Sequence, residues 1–559
     1  MKCNPHHSHH DLKRRLGLLS GPLALSFALV AGACSSNDVA TTTEAPTAII
    51  GDTPTTTDDI VAVEVTAPSA TSEAVLWPDE NPPNPELGSN HADGDAVDEF
   101  LAELDVLGFS GTVIAQSPDG VWSAGFGSAD RSGAVDNEID TVYDIGSLTK
   151  QFTAAAILRL EMDGRLSVDD AIGQHLDGLT PAQSEITLHQ LLTHTSGVPN
   201  AIGLDDEVVA LPDYLARLAS TEFPATPIGQ YAYSNVGYSL LGAVVEAASG
   251  DSYEVYLRNA LFEPAGMVHT GYVLPDWSDA TIAVGYNGDE VFGRPNERPW
   301  DVDGPGWNLR ANGGLLSTMP DMLRWDEALR GDEILDANAK EKMYTPHVEV
   351  AGGDGAFSGY GWNLVPFDDG TTLIFHSGTN HIFYADFFRF VDRDVTIAIA
   401  SNVADPLALE VAGGLASALL PDLFDDGVCE LDSPSVEAAA GFDVVADYPD
   451  TPVGRAMAAW IDVVLDGTPS DLDADAMLTD YVQQSIGEGF LDELGSKTVV
   501  ELIGSLRADF DGFEVELISQ EDDTTFHVVI ADTSGNEAVI SARLEDAPTP
   551  RVDCIGISS

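Results

Sequence analysis

Ser147 and Lys150 stand three residues apart in Ser147-Leu148-Thr149-Lys150, in a chain that has almost discarded lysine. Four lysines follow Cys34, and Lys plus Arg total 24 against 92 Asp plus Glu. A serine hydroxyl is a poor nucleophile near neutral pH and needs a base within hydrogen-bond reach. Residues i and i+3 share one face of a helix, so this spacing can set an amine beside a hydroxyl. Two further segments add to it. Tyr233-Ser234-Asn235 offers a phenol and an amide, and His376-Ser377-Gly378, at the end of an apolar run, offers an imidazole beside a glycine. A nucleophile, candidate bases and an amide are the parts that acyl transfer requires.

Each of these residues also has a structural reading. Ser147 can cap the helix that follows it, since serine is favoured there. Lys150 can be a solvated helix charge, Tyr233 a packed loop aromatic, and Asn235 a turn residue. His194, in Leu191-Leu192-Thr193-His194-Thr195-Ser196-Gly197, reads as structural, bonding nearby backbone, and His381 is given no role.

The elements that must hold these residues follow from periodicity. Ala96–Leu107 carries apolar residues at 97, 100, 101, 104 and 107, a helical pattern. Two strands, Gly111–Gln116 and Val121–Gly127, are joined by the turn sequence Ser117-Pro118-Asp119-Gly120. A helix is expected over Lys150–Asp163, stopping at Gly164. Helices and loops then run to about residue 345. Strands return at Tyr360–Pro366, Thr371–Phe375, Ile382–Phe390 and Val395–Ser401. Strands adjacent in sequence tend to pair as hairpins. The expected fold class is therefore α+β, an antiparallel sheet flanked by helices with an inserted helical lobe. After Cys429 come helical patterns over Thr451–Leu465 and Asp475–Leu506. Strands follow at Gly512–Ser519, Thr524–Ile530, Glu537–Leu544 and Arg551–Ile557, a small second α+β unit.

With these phrases assembled, the chain resembles the serine β-lactamase-like family: class C β-lactamases, D-alanyl-D-alanine carboxypeptidases and related esterases and D-aminopeptidases. The three motifs carry the resemblance. So do Asn235-Val236-Gly237-Tyr238-Ser239-Leu240-Leu241-Gly242, Gly313-Gly314-Leu315-Leu316-Ser317-Thr318 and Gly359-Tyr360-Gly361-Trp362, in the family's order from about 96 to 405. The resemblance implies a β-lactamase/transpeptidase-like fold and an acyl-enzyme on Ser147, with Lys150 and Tyr233 shuttling the proton. It implies that Asn235 holds the Lys150 amine and bonds a substrate amide. The backbone N–H groups of Ser147 and Thr379, beside His376 and Gly378, are the implied oxyanion hole. No cofactor and no metal is expected. Many family members carry Lys-Thr-Gly where this chain has His376-Ser377-Gly378, and that lysine attracts a substrate carboxylate. Histidine is mostly neutral at pH 7 to 8, so carboxylate capture is weakened. Esters, or amides and peptides with D-residues, are the expected substrates. A β-lactamase or D,D-carboxypeptidase proper is one alternative. A non-catalytic penicillin-recognising or cell-wall-sensing lipoprotein is another. The last region resembles, more loosely, the cystatin-like α+β cone domain that follows some bacterial hydrolases of this family.

Composition sets the surroundings. A formal net charge of −68 is incompatible with phosphate backbones and excludes nucleic acid as a partner. It fits either a saline habitat or simple solubility. Lys13, Arg14 and Arg15 precede an apolar stretch ending in Ala31-Gly32-Ala33-Cys34, which reads as an export signal over residues 1–33 of lipoprotein type, with Cys34 lipidated. An ordinary cleaved signal is the alternative. The protein is then expected outside the cytoplasm, held to a membrane by lipid on Cys34 and acting on a small-molecule or peptide acyl substrate. The oligomeric state is not legible. Residues 34–92, rich in Thr, Pro and acid, read as a tether, about 40 Å across as a random coil. Residues 93–425 form the expected hydrolase domain and 440–559 the accessory domain. Setting aside Cys3 and Cys34 leaves Cys429 and Cys554, an expected disulfide. In the chain-entropy picture it would add about 4–5 kcal/mol at most.

Overall fold

The structure, a computed structural model, describes residues 96–424 except 289, 351–354 and 368, together with five strands between 443 and 558. The expected signal, Cys34, the tether, Cys429 and the helices expected over 451–506 lie outside the described residues. For Cys554 only the backbone is described, so the expected disulfide also lies outside them.

Helix α1 (Ala96–Leu107) buries Val97, Phe100 and Leu104, one face at helical spacing. The hairpin of β1 (Gly111–Ser117) and β2 (Gly120–Phe126) follows. Helix α2 (Thr149–Met162) begins the inserted lobe, which also holds α3 (Asn235–Ser249) and α4 (Met319–Arg330). The chain then returns through β3 (Val348–Glu349), β4 (Phe357–Ser358), β5 (Asn363–Pro366), β6 (Thr372–Thr379), β7 (Tyr384–Phe390) and β8 (Val395–Ser401), and closes with α5 (Val411–Leu419). The sheet order is β2-β1-β8-β7-β6-β5-β4-β3, antiparallel throughout. The N-terminal hairpin is thus completed by the last strand, with Gly111 opposite Ser401.

The sheet is covered on both faces, which is why its strands read as continuous apolar runs rather than as alternation. Along β8, Val395, Ile397 and Ile399 join a core with Val97, Phe100, Val411 and Leu415 of α1 and α5. Ala398 and Ala400 face the larger core built with the helical lobe. Helix α2 runs through that second core: every residue from Thr149 to Leu158 is buried, and so is Leu160.

Several boundaries differ from expectation, two of them for a local reason. The strand expected from Tyr360 starts only at Asn363, because Gly361 adopts a left-handed φ of 75°. A Cβ on Gly361 would lie 2.8 Å from the Lys150 carbonyl oxygen, so the glycine lets this turn press on the start of α2. The strand expected to stop at Phe375 instead runs through His376, Ser377 and Gly378 to Thr379. Polar residues mask the strand there, although their backbone pairs with β7 in register. Helix α2 begins at Thr149 rather than Lys150 and ends one residue before the expected Asp163.

Further on, Asp443–Val445, Glu514–Gln520, Thr525–Ala531, Glu537–Leu544 and Val552–Ser558 form a five-stranded antiparallel sheet in sequence order. Four of these match the expected strands to within two residues. Asp443–Val445, not among the expected strands, adds an edge.

Candidate active site

Ser147 lies in a single 3-10 turn, Gly146–Leu148, that leads directly into α2. Its side chain caps nothing, so the capping role open from sequence is not the one it takes. The hydroxyl is instead the acceptor of a 3.0 Å hydrogen bond from Lys150 Nζ. Lys150 is fully buried and donates two more bonds, to Asn235 Oδ1 at 2.7 Å and to the Asn312 carbonyl at 2.7 Å. Three acceptors around one nitrogen fix its position. Lys150 is therefore not a solvated helix charge.

Tyr233 and Asn235 arrive on the turn that opens α3. Ser234 caps this helix, its Oγ accepting the Gly237 N–H at 2.9 Å. The cap sets Tyr233 just outside the helix and Asn235 at its first residue. Lys150 Nζ sits 4.7 Å from the centre of the Tyr233 ring. Behind that ring His194 stacks at 4.5 Å and 30°, and its Nδ1 accepts the Ser234 N–H at 3.0 Å. His194 is thus a platform bonded to backbone, the structural role expected of it.

The third motif closes the site from β6. A Cβ on Gly378 would overlap the Ile145 carbonyl oxygen and lie 2.9 Å from Ser147 N. One on Gly146, whose φ is 51°, would lie 2.6 Å from Thr379 N. The bare backbones of Gly146 and Gly378 therefore touch, which brings the Ser147 and Thr379 amides into one contact. His376 is buried, and its Nδ1 bonds the Ser377 carbonyl at 2.6 Å. Since a carbonyl only accepts, Nδ1 carries the proton and Nε2 is left as an acceptor in the neutral ring. Burial, and then the Lys150 charge, push the His376 pKa down to about 3. Burial also holds His194 well below its ordinary value, with Lys150 and His376 adding to the effect. Burial thus favours the neutral form of both imidazoles.

Sequence reasoning assigned no role to several residues that shape this centre. Asp144 is buried; its Oδ1 accepts the Gly146 N–H at 2.8 Å, and its Oδ2 accepts from Arg298 at 2.7 Å and Asn380 at 2.8 Å. One carboxylate thus ties the serine turn to the end of β6. A lone acid in the apolar run Val142-Tyr143-Asp144-Ile145 was a visible signal for it. Asn312 contributes a main-chain carbonyl, a role that no side-chain pattern reveals.

A Ser-x-x-Lys at the start of a buried helix, packed against the end of an interior strand of an antiparallel sheet, with a Tyr-x-Asn turn opposite, defines the β-lactamase-type serine hydrolase class. A family model described as Beta-lactamase matches residues 95–420, more than half of the chain, and the chain belongs to that family. The putative penicillin-binding protein PbpX of Bacillus subtilis (strain 168) is 32% identical over 271 residues, 48% of this chain and 65% of that protein. Penicillin-binding protein 4* of the same organism is 29% identical over 325 residues, covering 54% of this chain and 70% of that one. This chain thus spans just under two thirds of the length of the first of these relatives. Among solved structures, a class C β-lactamase superposes with a TM-score of 0.51 at 19% identity, over 60% of this chain and 99% of that one, a likeness of fold.

Proposed function

We propose that this chain is a serine acyl-hydrolase acting through Ser147, Lys150 and Tyr233 on esters, or on amides and peptides with D-residues. The observation that carries the reading is the 3.0 Å contact between Lys150 Nζ and Ser147 Oγ inside a buried, three-acceptor cradle. In the amine form, two N–H groups serve Asn235 and Asn312 and the lone pair faces the serine hydroxyl. Ser147 Oγ attacks the substrate carbonyl carbon while its proton passes to the Lys150–Tyr233 pair. The carbonyl π pair moves to oxygen, and the Ser147 and Thr379 amides receive the oxyanion. Each such donor contributes about 3–4 kcal/mol to the transition state. Collapse expels the leaving group, which takes the proton back, and water repeats the sequence on the acyl-enzyme.

The neutral His376 bears on the substrate. It offers no positive charge to the carboxylate of a penicillin or a D-Ala-D-Ala peptide, which favours uncharged esters and amides over both. A fluorophosphonate probe followed by intact mass should add one adduct to the protein and none to Ser147→Ala, with steady hydrolysis of p-nitrophenyl esters. An adduct that survives in Ser147→Ala would overturn the assignment. Labelling without turnover of any acyl substrate would instead make the protein a penicillin-recognising or cell-wall-sensing receptor.

Export and a lipid anchor on Cys34 belong to the same proposal, supported by the basic start, the apolar run and Ala31-Gly32-Ala33-Cys34. Cys34→Ser should shift the protein from the membrane to the soluble fraction of its host. Unchanged partitioning would remove the anchor from the proposal and leave the chemistry untouched.

A further inference from the structure

The carbonyl that receives the catalytic lysine belongs to a strained piece of chain. Asn312 O accepts from Lys150 Nζ at 2.7 Å, and the preceding residue, Ala311, is buried with a left-handed φ of 70°. Glycine takes that conformation freely. A residue with a Cβ keeps it only where its surroundings impose it. The Ala311 methyl fits against the bare Cα of Gly242, where a Cβ would lie 2.3 Å from it.

One hydroxyl holds this segment from both sides. Tyr272 Oη accepts the Ala311 N–H at 3.2 Å and donates to the Gly313 carbonyl at 2.8 Å. The two bonds bracket Asn312. The Gly313 N–H, on the same peptide unit as the Asn312 carbonyl, is tied to the Leu309 carbonyl at 3.0 Å. Tyr272 is itself fixed. It is buried, and Glu254 Oε1 accepts the backbone N–H groups of Tyr272, Val273 and Leu274. Trp300 meets its ring edge-on at 5.6 Å. Burial holds the phenol well above its ordinary pKa, so it keeps the proton it donates.

We infer that Tyr272 is a positioning residue for the acyl transfer: its hydroxyl sets the Asn312 carbonyl, and through it the place and the proton affinity of Lys150. The inference deepens the acyl-hydrolase reading and rests on it. A carbonyl accepts more strongly from an ammonium than from an amine. If the Asn312 oxygen drifts, the charged form of Lys150 loses more than the neutral form. The Lys150–Tyr233 pair then releases its proton at lower pH. The amine that results is less well aimed at Ser147, so proton transfer slows.

Tyr272→Phe keeps the ring and removes only the hydroxyl. On a p-nitrophenyl ester kcat should fall about tenfold, with KM changed by less than about twofold. The acidic limb of the kcat/KM pH profile should move down by about half a pH unit. Tyr344→Phe removes another phenol with an internal partner, bonded to Arg389 at 2.7 Å. It should lower the melting temperature and leave kcat and the limb in place. Thr153→Val loosens the same strained segment from its other side, since Thr153 Oγ1 donates to the Ala311 carbonyl at 2.6 Å. It should move the limb in the same direction, and an unmoved limb there would separate this segment from the lysine even if Tyr272→Phe does not fold. Wild-type kcat and limb in Tyr272→Phe, or a slower enzyme whose limb has not moved, would reduce Tyr272 to a packing residue and overturn the inference alone. Failure of the fluorophosphonate to label Ser147 in the wild type would overturn the hydrolase reading, and this inference with it.

Discussion

Lys150→Met should lower kcat/KM on a p-nitrophenyl ester by about 10⁴-fold, the upper range for removing a positioned general base. Methionine keeps most of the buried stem and removes the nitrogen, so the loss measures the proton transfer rather than a collapsed core. Two acceptors, Asn235 Oδ1 and the Asn312 carbonyl, lose their donor. Each unsatisfied group costs about 1–3 kcal/mol, partly offset because a buried amine no longer has to be desolvated. The melting temperature is therefore expected to move far less than the rate. Lys150→Arg should fail to rescue, because a guanidinium stays protonated and is too broad for a fully enclosed position. Fluorophosphonate labelling of Ser147 should slow in step with ester turnover in both variants. Retention of more than about a tenth of kcat/KM in Lys150→Met would move the base elsewhere, with the Tyr233 phenol the next group to test.

Much of this site was legible because its residues are unusual where they stand. A lysine survives at 150 in a chain of 24 basic residues, three places from a serine, and its burial confirms that solvation is not its purpose. The sheet was legible for a different reason: runs such as Val395–Ser401 are apolar without interruption, as strands covered on both faces must be. What stayed hidden depends on backbone. The strand through His376, Ser377 and Gly378 carries polar groups inside a buried element, so hydropathy ended it early. The contact of Gly146 with Gly378 joins residues far apart in the chain, and only the space left by two missing Cβ atoms reveals it. The Asn312 carbonyl belongs to a residue whose side chain is busy elsewhere, bonding Ser239 and the Asn308 carbonyl.

Asp386→Asn should stabilise the protein at pH 8 relative to its effect at pH 4, by an amount on the order of 4 kcal/mol at most. Asp386 lies on β7, opposite Ser377 of β6 and Ile399 of β8, on the sheet face turned away from the serine. It is 1% exposed and surrounded by the apolar core of α1 and α5. Tyr384 donates to its Oδ2 at 2.9 Å, while among the described residues Oδ1 and the facing Ser377 Oγ have no partner within bonding distance. Burial pushes the carboxyl up to about 7, against the weaker pull of Ser377 and Tyr384. The sign follows from proton counting. The unfolded chain holds this carboxyl near its ordinary value of about 3.9, so between there and about 7 the folded state binds the extra proton. Stability from the protonated acid is therefore complete below pH 4, declines as pH rises toward 7, and is gone above it. A shift of about three units converts to the figure above at 1.36 kcal/mol per unit. The chain carries 92 Asp and Glu residues, so the absolute curve of either protein is uninformative. The difference between variant and wild type isolates position 386. Paired urea unfolding at pH 4, 6 and 8 should show that difference growing with pH and levelling off beyond about 7. A difference that stays flat across the three conditions would mean that Asp386 reaches water or a cation in solution, and that the strand bearing His376 and Gly378 rests on no buried acid.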